Sequence, residues 1–339
     1  MDDSKFWNEP NLSPTKTKRQ HYVPQVLLRA FAVNGKIRVV DLDSEGKEYR
    51  TSTTNVAVKK HFYDVDLADI QVSTEDWLAQ LEGTATPVIV KLVEDPDRVT
   101  SLSVEEELCL ARFIVALRLR TPSFRDWNDK MIKSMLQQIK DMGKKQVYSQ
   151  HSKREAEAIW DEMKDKPDHW WFNEPEPQQP AMTTAFMLSE VQGFANLIRA
   201  APWRIGTTPD SMRLYTSDNP VSGYLNPVRL WWEGAAFSSF TYFVPLFPRI
   251  LLKIERRPDR KGREELQPQG DRRHSDFSSW ETLFAQHVVT NDARKYLYGE
   301  GTVVPRKCAR RYLERVDRAK LEFAIRYLGF KPRPPKIGY

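Results

Sequence analysis

Residues 103–122, SVEEELCLARFIVALRLRTP, decide the fold. Ser103 and Glu106 have the spacing of a capping box, in which each side chain accepts a hydrogen bond from the backbone N–H of the other residue. Residues 108–119 are apolar on nearly every side of the helix that this box begins, which predicts a helix at the centre of the core. Pro122 then ends or kinks this helix, and a polar helix follows.

The segment before this helix predicts a small unit of helix and strand. Pro24 suits the first turn of a short helix, because its missing N–H would have no partner there. Residues 36–51, KIRVVDLDSEGKEYRT, predict a β-hairpin with its turn at 44–46. The residues expected to face the core from this hairpin are Ile37, Val39 and Tyr49.

Helical spacing returns from residue 74, and β-branched and aromatic residues dominate after about residue 200. The β-rich segments are PWRIGTT, MRLYTS, FTYFVPLF and ILLKIERR, and a last helix is predicted over 277–297. These patterns predict an α+β protein, with a central helical region packed against a mostly antiparallel C-terminal sheet and with an N-terminal helix and β-hairpin. We expect one domain over 18–310, with a flexible arm at 1–17, a helical and loop insert near 145–180 and a basic C-terminal tail at 311–339.

Composition limits the class of protein. The 339 residues are 40% hydrophobic and include ten tryptophans, enough for a buried core. The net charge of +6 favours polyanionic partners only mildly, so nucleic acid, a protein partner and a homo-oligomer all stay open. Two cysteines exclude a disulfide framework and a four-cysteine zinc site. The chain shows neither a secretory signal nor an apolar run of membrane-spanning length, so we expect a cytoplasmic protein without a membrane partner.

Seven short segments, in order along the chain, point to a known family. They are HYVPQVLLRAF (21–31), FYDVD (62–66), EDWLAQLEG (75–83), LRLRTP (117–122), YTSDNPV (215–221), FVPLFPRILL (243–252) and TNDARKYLYG (290–299). Together they resemble the uncharacterised bacterial family called domain of unknown function 4238. The resemblance implies a bacterial or phage-borne soluble protein and implies no activity, so the candidate residues are assessed by their own chemistry.

His21 and Tyr22 stand directly before the first helix and allow two interpretations. As structural residues they would bond the free N–H groups of that helix and cover its apolar side. As functional residues, His21 would be a general acid or base beside a phosphate held at the helix N-terminus. Tyr22 and Arg29 would then contact the substrate.

The segment LYTSDNPV, residues 214–221, ends a strand in a tight polar turn. In one interpretation Asp218 or Asn219 caps its own backbone there. In the other, the end of the strand presents Asp218 and Asn219 to a cleft as catalytic groups.

Glu75 and Glu82 share a helical row with apolar residues, so each must be paired or protonated if it is buried. Arg118 and Arg120 lie among the apolar residues of the central helix and need a carboxylate for the same reason. The simplest interpretation is an ion pair from Glu82 to Arg118 or Arg120. The alternative is that one arginine binds a substrate phosphate or carboxylate.

Two further features of the sequence bear on ligand binding. Arg229 and Trp231 belong to aromatic segments with basic neighbours, which suit stacking on single-stranded nucleic acid but are more often core residues. No zinc motif, Walker A sequence or G-x-G-x-x-G sequence is present, so no cofactor or metal site is predicted. Magnesium held by Asp218 with Glu75 or Glu82 stays open.

These observations lead to one preferred function and two alternatives. We expect His21, Asp218 and Asn219 to converge with an arginine and a glutamate in a hydrolase of nucleic acid, in a toxin or phage-defence setting. His21 would be the base, and Asp218 would orient its imidazole. RNA is favoured over DNA because its 2′-hydroxyl supplies the nucleophile without a metal. The alternatives are a non-catalytic ligand- or partner-binding module with a structural polar pocket, and a purely structural protein.

Overall fold

The computed structural model of the chain describes residues 13–14, 18–67, 70–167, 170–171, 191–224, 240–256 and 270–327. The helices are α1 (Gln25–Ala30), α2 (Glu75–Glu94), α3 (Val104–Leu119), α4 (Pro122–Gln150), α5 (Lys153–Met163), α6 (Val191–Ala200), α7 (Ser279–Asp292) and α8 (Arg306–Tyr327). The N-terminal strands are β1 (Ser13–Pro14), β2 (Arg19–His21), β3 (Lys36–Asp41), β4 (Lys47–Ser52), β5 (Val58–Lys60), β6 (Asp64–Leu67) and β7 (Ile70–Ser73). The C-terminal strands are β8 (Trp203–Thr207), β9 (Thr216–Ser217), β10 (Ser222–Tyr224), β11 (Phe240–Phe247), β12 (Ile250–Arg256), β13 (Arg272–His274) and β14 (Tyr296–Tyr298).

The central helix α3 is as buried as its sequence predicts. Its capping box is present, with Ser103 Oγ accepting from the Glu106 N–H at 3.2 Å and Glu106 Oε2 accepting from the Ser103 N–H at 2.8 Å. The helix lies between α2 and α6, and its apolar residues share one hydrophobic core with β8, β11 and β12. Burial of apolar surface on all sides of one helix makes α3 the main organiser of this core.

Two larger sheets complete the architecture and confirm the α+β class. One has the strand order β10-β11-β12-β8-β13, in which only the β13–β8 pair is parallel. The other has the order β4-β3-β14-β9 and joins the predicted N-terminal hairpin to two strands from the C-terminal half. Two small ribbons, β1-β7-β6 and β2-β5, bring the segments around residues 20, 60 and 74 together.

The structure corrects three sequence predictions. The last helix ends at Asp292, and Tyr296–Tyr298 form β14 between β3 and β9, because backbone pairing with distant strands overrides helical spacing there. Tyr49 is 45% exposed, since β4 is the edge strand of its sheet and extends beyond the core. Residues 311–327 of the expected basic tail continue the helix α8.

Some predictions fall partly outside the described residues. Of the arm at 1–17, Ser13 and Pro14 pair with β7, and the rest lies outside. Of the insert near 145–180, the ends of α4 and α5 are described, and 172–180 are not. Within the described part of the chain, no helix combines the length and the apolar character needed to cross a membrane.

Candidate functional site

Arg120 is a buried cation whose hydrogen bonds are incomplete. It lies at the C-terminal end of α3, where its side chain is 1% exposed and its Nη1 donates to Glu82 Oε1 at 2.6 Å. The predicted ion pair with Glu82 is therefore confirmed. Its Nε and Nη2 groups are buried and have no hydrogen-bond partner among the described residues. A buried guanidinium normally has all its donors satisfied, so these two N–H groups are an exception that requires an explanation.

Glu75, two turns before Glu82 on the same row of α2, belongs to a second part of the same cluster. Burial raises the pKa of Glu75 to about 7, and the nearby charges of Asp64 and Glu82 act in the same direction. The side-chain amide of Gln20 bonds to Glu75 and also donates to Asp64 Oδ1. A carboxyl group with this pKa exchanges its proton near neutral pH, as a general acid or base must.

His61 and Asp64 form a dyad that extends this cluster to the surface. His61 Nδ1 lies 2.6 Å from Asp64 Oδ2, and the imidazole is 40% exposed whereas the carboxylate is 2% exposed. With Nδ1 protonated toward Asp64, the Nε2 lone pair of His61 is available to take a proton. His61 also has a φ of 53°, an uncommon conformation that the surrounding structure must hold.

Hydrogen bonds run from His61 through Asp64 and Gln20 to Glu75. The ion pair of Glu82 with Arg120 is separate from this chain of bonds, and the charge of Glu82 acts on Glu75 across the space between them. We call the two parts together the acid–base cluster. Gln20 is completely buried, and its Oε1 accepts from the backbone N–H of Tyr63 at 2.6 Å, which fixes the amide.

Tyr63 lies at the centre of the acid–base cluster. Burial raises its pKa, and the charges of Arg120, Arg125, Glu82 and Glu75 all act on the phenol. Further buried polar atoms without a partner occur in the two segments that carry Glu75 and Arg120; they are Thr74 Oγ1, Trp77 Nε1, Ser123 Oγ and Asn128 Nδ2. Similar atoms occur elsewhere in the described chain, for example Arg249 Nε and Tyr298 Oη, so an unpartnered atom alone does not identify a binding site.

His21 faces the same cluster, but its basic atom is occupied. Gln25 Nε2 lies 2.7 Å from His21 Nε2, and Thr53 fixes this amide by donating to Gln25 Oε1 and accepting from Nε2. A Gln25 N–H therefore donates to His21 Nε2, which places the imidazole proton on Nδ1. Burial lowers the pKa of His21, and the charge of Arg19 acts in the same direction. These contacts favour the structural interpretation of His21, with Gln25 as its hydrogen-bond partner.

Asp218 and Asn219 belong to a different network at the end of α7. The Asp218 carboxylate accepts backbone N–H bonds from Arg294 and Lys295 at 2.8 Å and from Tyr296 at 3.1 Å. Burial raises the pKa of Asp218, and the three N–H donors act in the opposite direction. Asp218 thereby holds the chain that leads from α7 into β14.

Asp292 is the centre of this second network. Its Oδ2 accepts from Arg118 Nη1 at 2.8 Å, from Asn219 Nδ2 at 2.9 Å and from the Gly223 N–H at 2.9 Å. Arg118 also donates to the carbonyl oxygen of Val221 at 3.0 Å. These bonds join α3, α7 and β10, so we call this network the structural clasp.

The structure therefore divides the predicted site residues. His21, Glu75, Glu82 and Arg120 lie in or against the acid–base cluster, whereas Asp218, Asn219 and Arg118 lie in the structural clasp. No hydrogen bond or ion pair among the described residues joins His21 to Asp218. Tyr22 lies near the clasp instead. Its pKa is raised first by burial and then by the charge of Asp218, an effect that requires the carboxylate to be close to the phenol.

The remaining site predictions have simpler outcomes. Arg29 is exposed on α1. Arg229 and Trp231 lie outside the described residues. Over the part of the chain that the structure describes, no group of three or more histidine, cysteine, aspartate or glutamate side chains is arranged to hold a metal ion. The oxygens of Asp218 are occupied by backbone N–H groups rather than directed toward Glu75 or Glu82.

Sequence reasoning missed His61, Asp64 and Gln20. The signal for the dyad was local, because a histidine and an aspartate stand three apart in HFYD. Gln20 had no signal, since its partners Tyr63, Asp64 and Glu75 lie more than 40 residues away, at the start of β6 and in α2.

The fold and this cluster define an α+β protein with a buried arginine joined to acid–base side chains. The family model described as "Protein of unknown function (DUF4238)" matches residues 19–328. The chain belongs to this family, as the segments quoted above indicated. Comparison with curated proteins and with solved structures returned no match.

Proposed function

We propose that this protein is a nuclease that cleaves single-stranded RNA at the acid–base cluster. The observation that carries the proposal is the buried Arg120 guanidinium, which keeps two N–H groups without partners in the same cluster as a carboxyl group of pKa about 7. A bound anion would satisfy both donors of Arg120, and a phosphodiester offers two oxygens that match a guanidinium fork.

Each side chain has a defined part in the reaction. His61 Nε2 takes the proton of the ribose 2′-hydroxyl as its oxygen attacks phosphorus, and Asp64 stabilises the imidazolium that forms. Protonated Glu75 gives its proton to the 5′-oxygen as the bond from phosphorus to that oxygen breaks. The products are a 2′,3′-cyclic phosphate and a 5′-hydroxyl. Arg120 neutralises the charge that develops on the phosphoryl oxygens.

RNA is the substrate class because it contains its own nucleophile. The described side chains supply a base, an acid and a cation, which suffice for transfer to the 2′-hydroxyl. DNA lacks that hydroxyl and would bind without being cleaved. The two cysteines are free thiols, which fits action in a reducing cytoplasm, and cleavage of RNA in a toxin or phage-defence setting belongs to the same proposal.

The test is cleavage of a fluorescent single-stranded RNA in EDTA by the wild type and by two matched variants. His61→Ala removes an exposed imidazole from the cluster, and His151→Ala removes an exposed imidazole that follows α4. We expect His61→Ala to lower the cleavage rate at least 100-fold, the scale of general base catalysis, and His151→Ala to leave it unchanged. Equal rates for the two variants, or no cleavage by the wild type, would refute the proposal.

The second candidate is a binding module that uses Arg120 without catalysis. It is favoured by one observation, the occupied Nε2 of His21, because it removes one of the two histidines at the cluster that could act as a base. A protein of this kind would bind phosphate through Arg120 but would cleave neither RNA nor DNA, with or without magnesium.

A further inference from the structure

A row of cations follows the outer face of α8. Five exposed basic side chains lie within about 140° of the helix circumference and span about 16 Å of its length, as 3.6 residues per turn and 1.5 Å per residue require. Glu314 is the exposed acidic residue of α8 that lies among them. We call this surface the basic ridge; it consists of Lys307, Arg310, Arg311, Arg315 and Arg318.

The cations of the basic ridge differ from other cations of the same helix, because they have no hydrogen-bond or ion-pair partner within the described chain. None of the five forms a hydrogen bond or an ion pair with another described residue. Arg306, by contrast, contacts Asp43 at 3.1 Å and donates to the carbonyl oxygen of Ala293 at 2.8 Å. Like charges at a spacing of four residues, such as Lys307 with Arg311, destabilise a helix. A polyanion would remove that cost.

The helix is held rigidly from its other faces. Ala309 and Leu313 are buried, and α8 packs against α7. Tyr224 Oη donates to Asp317 at 2.6 Å and accepts from Lys320 Nζ at 3.0 Å, which fixes the helix against β10. The ridge is therefore presented on a firm support, so little conformational entropy is lost when it binds.

The packing of α8 also indicates which polyanion the basic ridge binds, a lipid bilayer or a nucleic acid. A helix that binds a lipid bilayer inserts an apolar face beside its cations. Ala309 and Leu313, which lie on the apolar face of α8 beside the basic ridge, are already buried in the protein, so a bilayer at the ridge would gain only the charges. A nucleic-acid backbone requires charges alone, and four of the five ridge residues are arginines, which match phosphate geometry.

We propose that the basic ridge binds the phosphate backbone of single-stranded nucleic acid without reading its sequence. The inference rests on the proposed function for the identity of the partner, and it adds a second surface that holds the strand by charge. Binding at the ridge uses no group of the acid–base cluster, so the two proposals can fail separately.

The test is fluorescence anisotropy with a single-stranded DNA oligonucleotide, which lacks the 2′-hydroxyl and stays intact. The ridge variant is Lys307→Gln, Arg311→Gln, Arg315→Gln. The matched control is Lys145→Gln, Lys153→Gln, Arg154→Gln, which removes three exposed cations from α4 and α5. We expect the ridge variant to bind about 100-fold more weakly at 0.1 M salt, and the slope of log Kd against log salt to fall by about 2.

The results separate the two proposals. Equal weakening by both triple variants, or an unchanged salt slope in the ridge variant, would overturn the ridge as the binding surface even if RNA is cleaved. Loss of DNA binding in the ridge variant alone would support it even if no RNA is cleaved. Ridge-dependent binding to phosphatidylserine vesicles without binding to DNA would overturn it in favour of a membrane. Thermal melting verifies that both variants are folded. We expect the Tm of the ridge variant to change little, because the loss of repulsion between Lys307, Arg311 and Arg315 offsets the loss of the attraction between Arg311 and Glu314.

Discussion

Glu75 and Asp64 share the side-chain amide of Gln20 as a hydrogen-bond partner. This arrangement keeps the two carboxyl groups close together. Asp64 also contacts the imidazole of His61, which can carry a positive charge. Burial and then the charge of Asp64 raise the pKa of Glu75 to about 7 from its ordinary value of 4.5. The cluster therefore stores a proton at neutral pH, at a cost to stability when that proton is lost.

Glu75→Gln should therefore stabilise the protein at high pH and abolish its activity. A raised folded-state pKa means that the folded protein binds more protons than the unfolded chain between pH 4.5 and 7, so stability falls as pH rises through this window. The amide has no charge to bury, so we expect a Tm roughly 2 °C above the wild type at pH 8, for about 1 kcal/mol after solvent screening. At pH 4.5 the two proteins should melt together. A lower Tm for the variant at pH 8 would contradict the conclusion that the ionised carboxylate of Glu75 destabilises the folded protein.

Asp218→Asn should lower stability without a specific effect on catalysis. The substitution puts an amide nitrogen opposite backbone N–H groups of residues 294–296, which leaves buried donors unsatisfied. We expect a loss of about 2 kcal/mol in unfolding free energy, measured by urea denaturation. The folded fraction should cleave RNA at the wild-type rate. A large loss of rate with unchanged stability would return Asp218 to the active site.

His21→Ala should also act mainly on stability. The substitution removes the partner of Gln25, at a cost of about 1 kcal/mol at pH 7.5. Because the folded-state pKa of His21 is lowered, its stabilising effect is present above pH 6.5 and is lost as pH falls below that value. The difference in Tm between variant and wild type should therefore shrink on acidification. A difference in Tm that grows as pH falls would show that His21 is bound in its charged form.

Glu107→Gln should be the most destabilising of these changes. Glu107 is completely buried on α3 and accepts from Arg199 Nε at 3.1 Å and Arg272 Nε at 2.9 Å. Its removal leaves two guanidinium groups in the interior without a carboxylate, which costs about 3–5 kcal/mol. The matched control is Glu48→Gln, whose pair with Arg38 is half exposed and contributes under about 1 kcal/mol. Similar losses in urea denaturation would mean that the Glu107 triad is no stronger than a surface pair.

Local sequence patterns predicted the core of the fold. They did not predict features that depend on pairing with distant parts of the chain. The capping box, the burial of α3 and the Glu82–Arg120 pair follow from residues close together in sequence or from helical rows. The strand β14 could not be predicted in this way. Its neighbours β3 and β9 lie far away in the chain, and the three residues YLY are too few to show a helical or a strand periodicity. Asp218 was identified as a residue of a special turn, but the backbone N–H groups that it binds belong to that same distant segment.

The candidate site shows the same limit. Glu75, Glu82 and Arg120 were recognisable because charges on apolar helical rows require partners. The spacing of His61 and Asp64 is not distinctive in the sequence, and only the buried bond of Asp64 to Gln20 makes this pair stand out. The convergence of β2, β5, β6 and α2 is a property of the tertiary structure.

The most direct test of the acid–base cluster is the chemical identity of the cleaved ends. Wild-type protein is incubated in EDTA with a single-stranded RNA and with the same RNA carrying one 2′-deoxy nucleotide at the cleavage position, and the products are measured by mass spectrometry. Attack by the 2′-hydroxyl predicts fragments that end in a 2′,3′-cyclic phosphate and begin with a 5′-hydroxyl, and no cleavage at the deoxy position. Fragments with a 5′-phosphate, or undiminished cleavage at the deoxy position, would contradict the account.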